Sequence, residues 1–171
     1  MDQNVLHNLS YGMYVVSSCK GYLMNGQIAN TVFQITSEPA TVGVSINKNN
    51  LTREYIESSN LFTCSILTDE TPLLFIGKFG FKSGRTENKF KGVESEILKN
   101  GCPAVIDHSL GYFGARVVKR VDCETHILFI GEVTEAKIIK PGRPMTYEYY
   151  HMVKRGTTPA SAPTFIKGEK R

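Results

Sequence analysis

Apolar and polar positions alternate along much of this chain. Over residues 41–47 (T-V-G-V-S-I-N), Val42, Val44 and Ile46 point one way and Gly43, Ser45 and Asn47 the other, the two-residue period of a half-buried strand. The polar face carries only small or amide side chains, so a flat ligand could lie close to its backbone. Runs rich in β-branched and aromatic residues predict further strands over 12–19, 28–36, 61–67, 104–107, 112–121 and 125–139. Lys20-Gly21 marks a turn, Glu38-Pro39 ends a strand, and Gly131 reads as a bulge or bend in the last run. The early strands follow one another too quickly for intervening helices, which favours antiparallel pairing.

Two short helices interrupt the pattern. One is predicted over 52–59, after Asn47, Lys48, Asn49 and Asn50. The other has Thr71 as its N-cap, Pro72 at the first helical position, and Leu73, Leu74, Ile76 and Phe79 at helical spacing. Many strands and few helices predict a mainly β barrel with helical inserts. Residues 145–154 (M-T-Y-E-Y-Y-H-M-V-K) are aromatic, and the following T-T-P-A-S-A-P-T-F-I is Pro-rich and extended. That much aromatic surface is expected to pack across its own barrel or a partner subunit.

At 171 residues and 41% hydrophobic, the chain is sized for one domain, with a barrel over about 1–140 and a C-terminal extension over about 141–171. A net charge of +4, dispersed, argues against nucleic acid as a partner; Lys167, Lys170 and Arg171 read as a short solvated end. Met1-Asp2-Gln3-Asn4 lacks the basic start of a signal peptide, and no apolar run would span a membrane, so a cytoplasmic location is expected. Cys19, Cys64, Cys102 and Cys123 form no Cys-x-x-Cys and are expected to be reduced, mostly buried thiols; no metal site is expected from them.

Candidate chemistry sits in two places. A helix start near Leu51 or Thr52 offers free N–H groups and a positive dipole end, with Lys48, Thr52 and Arg53 as added donors. In the loop over 79–90, Lys82, Arg85 and Lys89 surround Ser83-Gly84, a set that could cradle a phosphate. It is not a P-loop. An Asn-rich turn before a capped helix, and a solvated basic loop, explain the same residues equally simply.

Specific strings carry the reading further. Asn25-Gly26, then Ala29-Asn30-Thr31, then Val44-Ser45-Ile46-Asn47-Lys48-Asn49, then Phe79-Gly80 with Lys82-Ser83-Gly84-Arg85 and Lys89-Phe90, then His126 with Phe129-Ile130-Gly131-Glu132-Val133, resemble the flavin reductase-like family of FMN-binding split barrels. Within it, the chain resembles most the flavin domain of high-molecular-weight rubredoxin-type NADH:flavin oxidoreductases; Thr146-Tyr147, Tyr149-Tyr150-His151, Thr158-Pro159 and Ala162-Pro163 look like the end of that subgroup. The resemblance implies a six-stranded Greek-key barrel, a homodimer, and FMN bound near the subunit interface. It implies that Ala29, Asn30 and Thr31 border the isoalloxazine ring. Ser45, Ile46, Asn47 and Lys48 would lie along the ring and ribityl chain. Thr52, Ser83, Gly84, Arg85 and Lys89 would hold the phosphate. His126 matches the histidine of the family's Gly-Asp-His motif, implicated in nicotinamide binding, although Glu124-Thr125 stand here in place of Gly-Asp. No iron-binding cysteine pairs follow, so the acceptor of the electrons would be free flavin, oxygen or a separate redox protein.

The function expected is therefore an NAD(P)H:flavin oxidoreductase that passes hydride from NADH or NADPH to FMN. A flavoredoxin-like carrier, its FMN reduced by a protein partner, is the alternative. A split barrel serving haem or a purely structural contact is a third.

Overall fold

The structure is a computed structural model that describes residues 3–165. After a 3-10 turn at Gln3–Asn8, β1 (Tyr14–Lys20) and β2 (Leu23–Ala29) form a hairpin, and β3 (Val32–Ser37) and β4 (Ala40–Asn47) form a second. Then come α1 (Leu51–Ser59), β5 (Leu61–Leu67), α2 (Leu73–Gly80), β6 (Ser95–Ile97) and β7 (Pro103–Val105). The long strands β8 (Ser109–Cys123) and β9 (His126–Ile138) follow, and α3 (Tyr147–Met152) comes last.

One antiparallel sheet runs in the order β2-β1-β5-β8-β9-β4-β3, and β6 and β7 pair separately. The expected mainly β architecture with short helical inserts is what the chain adopts; the large sheet has seven strands where the resemblance implied six. The reason lies at Asn30-Thr31. The single strand expected over 28–36 is divided there into the end of β2 and the start of β3, because the backbone turns so that Ser45 N–H can donate to the Thr31 carbonyl.

On β4 the apolar positions of the alternation are the buried ones, whereas β1 and β5 are buried on both faces. Val16, Val44, Ile46, Phe62 and Phe129 are fully buried inside the sheet. A second core forms outside it, where α2 and α3 bring Ile76, Phe79 and Tyr150 against Met13, Val15 and Phe90. Each large buried side chain contributes about 1.5–3 kcal/mol in transfer free energy. The second core decides how the C-terminal part packs: α3 lies on its own barrel, with Tyr150 3% exposed. The basic end, Lys167, Lys170 and Arg171, lies outside the described residues.

Three local expectations are corrected. Thr71 does not cap α2; its hydroxyl donates to the Thr68 carbonyl, and Pro72 takes the cap position. Gly131 is not itself a bulge, because the irregularity lies on β8 between Val117 and Lys119. Gly131 is needed instead for the Phe62 ring, which a Cβ there would approach within 2.6 Å. Nor are all four cysteines thiols, since Cys19 and Cys102 form a disulfide. Their Cα atoms are 5.1 Å apart across 83 residues of sequence. Cys19 is next to last in β1 and Cys102 leads into β7, so the fold, not the spacing, brings them together. Cys64 is a buried thiol whose ionisation is suppressed by desolvation, and Cys123 is free and exposed.

Candidate functional site

The β1–β2 hairpin, the small-faced side of β4, the start of α1, the loop after α2 and the C-terminal segment enclose one cleft of about 240 Å³. Each wall has a local cause. On β4 the period-two pattern sends Val44 and Ile46 to the core, which leaves Ser45 and Asn47 facing the cleft. At α1 the cap residue Asn50 is extended and its side chain makes no cap bond. The helix N-terminus is therefore open to an anion from the cleft.

Opposite that helix, the loop after α2 supplies Lys82, Ser83, Gly84, Arg85 and Lys89 to the cleft wall. A Cβ on Gly84 would collide with the Asn25 side-chain oxygen, so this close approach needs glycine. Asn25 is buried and donates from Nδ2 to Thr52 Oγ1 at 2.8 Å. That bond uses an acceptor site of Thr52 and leaves its hydroxyl proton for another partner. Arg85 is paired with Glu54, whose carboxyl this contact holds below the usual range.

Lys89 is 5% exposed and donates to the carbonyls of Gly26 at 2.9 Å and Phe79 at 3.1 Å. Burial pulls its ammonium down to about 8. A third N–H remains after those two bonds. The side-chain oxygen of Gln27, another cleft residue, is buried without a hydrogen-bond partner among the described residues.

At the far end, Ala29 and Asn30 face Ser45 and Asn47, and residues 157–163 form a roof. A second hollow lies beyond that roof, lined by His126, Thr125 and Cys123 and sharing Ser45, Asn47, Ala162 and Pro163 with the first. His126 Nε2 meets the Ser161 carbonyl at 3.3 Å, and Nδ1 meets the Thr125 hydroxyl at 2.8 Å. A carbonyl can only accept, so Nε2 carries the proton. Burial lowers the pKa of His126, and the Ser161 contact offsets part of that.

Nine of the sequence-selected residues therefore line one cleft: Ala29, Asn30, Ser45, Asn47, Thr52, Ser83, Gly84, Arg85 and Lys89. Four do not line this cleft. Ile46 is fully buried in the barrel core, by the same alternation that exposes Ser45. Lys48 is turned away and held by Asp122 at 2.7 Å. Thr31 gives its hydroxyl proton to Asn30 Oδ1. His126 belongs to the adjoining hollow. Sequence reasoning missed Gln27 and Tyr147 as cleft residues. Nothing in the sequence singles out Gln27, whereas Tyr147 belonged to an aromatic run already expected to pack on the barrel. No group of three or more metal-ligating side chains occurs among the described residues.

The class to which this antiparallel barrel and its cleft belong, the flavin reductase-like proteins, is shown by comparison with known proteins. The chain belongs to the flavin reductase like domain family, which it matches over residues 6–157. It is 52% identical over its whole length to the high molecular weight rubredoxin of Moorella thermoacetica, covering 75% of that protein. It is 41% identical over 99% of its length to the ferric-chelate reductase (NAD(P)H) of Archaeoglobus fulgidus, covering all of it. Among solved structures, flavin reductase PheA2 superposes with a TM-score of 0.71 at 27% identity, over 85% of this chain and 93% of that one.

Proposed function

We propose that this cleft binds FMN and that the protein is an NAD(P)H-dependent flavin oxidoreductase. The observation that carries the reading is the pairing of two features in one cleft: an open helix start facing a basic glycine loop, and a flat floor of Ala29, Asn30, Ser45 and Asn47. The residues fit the group. Gly84 leaves room where any side chain would collide, and the unpartnered Gln27 oxygen offers an acceptor to a polyol hydroxyl.

Thr52, Ser83, Arg85, Lys89 and the α1 N–H groups hold the phosphate in this reading, and Gly84 lets the backbone approach. Asn25 orients the Thr52 hydroxyl toward it. Thr31, Ile46 and Lys48 act through the backbone frame rather than through side chains in the cleft. When bound, the flavin supplies a two-electron acceptor for hydride from nicotinamide C4. His126 positions the nicotinamide through its Nε2 proton, and the chain supplies no nucleophile or general base. The protein works as a homodimer in the cytoplasm, handing electrons to free flavin or to a separate redox protein.

A second reading rests on one observation: the Nε2 proton of His126 is already taken by Ser161. A chain that keeps this bond serves as a flavoredoxin-like electron carrier reduced by a protein. Anaerobic absorbance of the FMN-loaded protein, before and after one equivalent of NADH or NADPH, separates the two. Bleaching supports the oxidoreductase. Bands that resist both nucleotides but yield to dithionite support the carrier. A protein that takes up no flavin overturns both.

A further inference from the structure

We propose that the segment 157–165 is a gate between the cleft and the His126 hollow, and that it must swing aside before a nicotinamide can meet the flavin; this rests on the oxidoreductase reading above. The two spaces share Ser45 and Asn47 as floor and Ala162 and Pro163 as the wall between them. Hydride transfer needs the donor carbon and the acceptor atom within about 3–3.5 Å. Asn47 is the cross-strand partner of His126, so the β4 floor runs on into the hollow, and Ala162 and Pro163, which line both spaces, stand over the join. The same segment also occupies the proton of His126 through the Ser161 carbonyl.

The segment is held by a short, directional set of hydrogen bonds. Asn30 Nδ2 donates to Thr164 Oγ1 at 2.9 Å, and Thr164 donates to the Tyr147 hydroxyl at 2.9 Å. The Tyr147 hydroxyl contacts Thr158 Oγ1, which meets His151 Nε2 at 3.2 Å. His151 Nδ1 faces the Gly156 carbonyl at 2.9 Å and must donate to it, so in the neutral ring Nε2 accepts from Thr158 and Tyr147 donates to Thr158. One hydroxyl, that of Tyr147, thus joins both ends of the latch.

The root of the segment is fixed independently of the latch. Gly156 N–H donates to the Tyr150 carbonyl, and the Tyr150 hydroxyl is bonded to both the N–H and the carbonyl of Thr157. Tyr150 is buried in the second core, so residues beyond Thr157 can move while their root stays put. Beyond the root, residues 158–165 are half-buried or exposed and lie in turns or irregular backbone, consistent with a low-cost local opening.

When the closed state dominates, the apparent affinity for nicotinamide is reduced by the open fraction. Loosening the latch therefore tightens the apparent affinity without touching the nucleotide's own contacts. The test uses the full-length FMN-loaded chain and the variants Thr164→Val and Thr164→Ala, which remove the hydroxyl that links Asn30 to Tyr147 from a residue outside the cleft lining. Two readouts are taken: NADH-dependent flavin reduction, and hydrogen exchange of amides 157–165 with and without NAD⁺. The gate predicts a KM for NADH lowered about three- to tenfold in both variants with kcat within about twofold. It also predicts faster exchange confined to 157–165, in the variants and in wild type on adding NAD⁺. Flavin bleached by NADH with one KM across all three proteins, and exchange unmoved by NAD⁺, overturns the gate alone. Flavin left oxidised by NADH in all three, with exchange unmoved, overturns the nicotinamide reading and the gate together.

Discussion

Lys89 is a buried cation on the wall of the cleft, at the end proposed above to hold a phosphate. Burial desolvates its ammonium and lowers its pKa to about 8, although two carbonyls accept hydrogen bonds from it. In the unfolded chain the same group stays protonated to higher pH. Between about 8 and the ordinary lysine range the unfolded state binds the extra proton, so the flavin-free protein gains stability as pH rises through that window. Anion binding runs the other way, because phosphate favours the charged form. FMN affinity, measured by fluorescence quenching, is expected to weaken as pH rises above about 8, by at most tenfold per pH unit. Lys89→Met should flatten that profile and bind FMN more weakly at pH 7. In the adjoining hollow, burial lowers the pKa of His126, which favours the neutral ring whose Nε2 donates to the Ser161 carbonyl.

Elements set the shape of the cleft through close approaches that tolerate no extra atom. Gly84→Ala puts a methyl against Asn25 and so displaces either the loop after α2 or the Asn25–Thr52 bond. Its expected signature is FMN affinity reduced by about tenfold or more with the melting temperature changed little, since the loop is largely exposed and one charge-assisted hydrogen bond is worth about 1.5–3 kcal/mol. Gly131→Ala should do the reverse. There the methyl meets Phe62 and Ala115 inside the barrel, an overpacking that typically costs about 1–3 kcal/mol, read as a lower midpoint in urea. The disulfide between Cys19 and Cys102 closes a long loop across the sheet. Chain entropy gives such a link on the order of 4 kcal/mol, and reduction, or Cys102→Ser, should lower the unfolding free energy by up to that amount.

For the whole molecule, apolar residues on the outer strands need a cover. Phe33 and Ile35 on β3 are 46% and 43% exposed, on a sheet edge whose hydrogen-bonding groups face outward. With the homodimer proposed above, sedimentation equilibrium should return about twice the chain mass of 19.1 kDa. Phe33→Asp with Ile35→Asp should shift that value toward the monomer if this edge is the interface. A wild-type monomer at micromolar concentration would rule the dimer out.

Local patterns determined much of this protein. The two-residue period of 41–47 determined which β4 side chains enter the core and which face the cleft, because alternation is a property of the extended backbone itself. The Asn-rich turn and the Ser83-Gly84 loop were legible as donor-rich segments, since free N–H groups and glycine are local features as well, and both line the one cleft. Tertiary structure decided what depends on contacts between distant segments. It split the 28–36 run at Asn30-Thr31, brought Cys19 to Cys102, and turned Lys48 toward Asp122. It also placed the C-terminal segment between the flat floor and His126. None of these has a period or a spacing to read. Each follows from which strands neighbour one another in the sheet, and that order is set by burying the barrel core and the second core together.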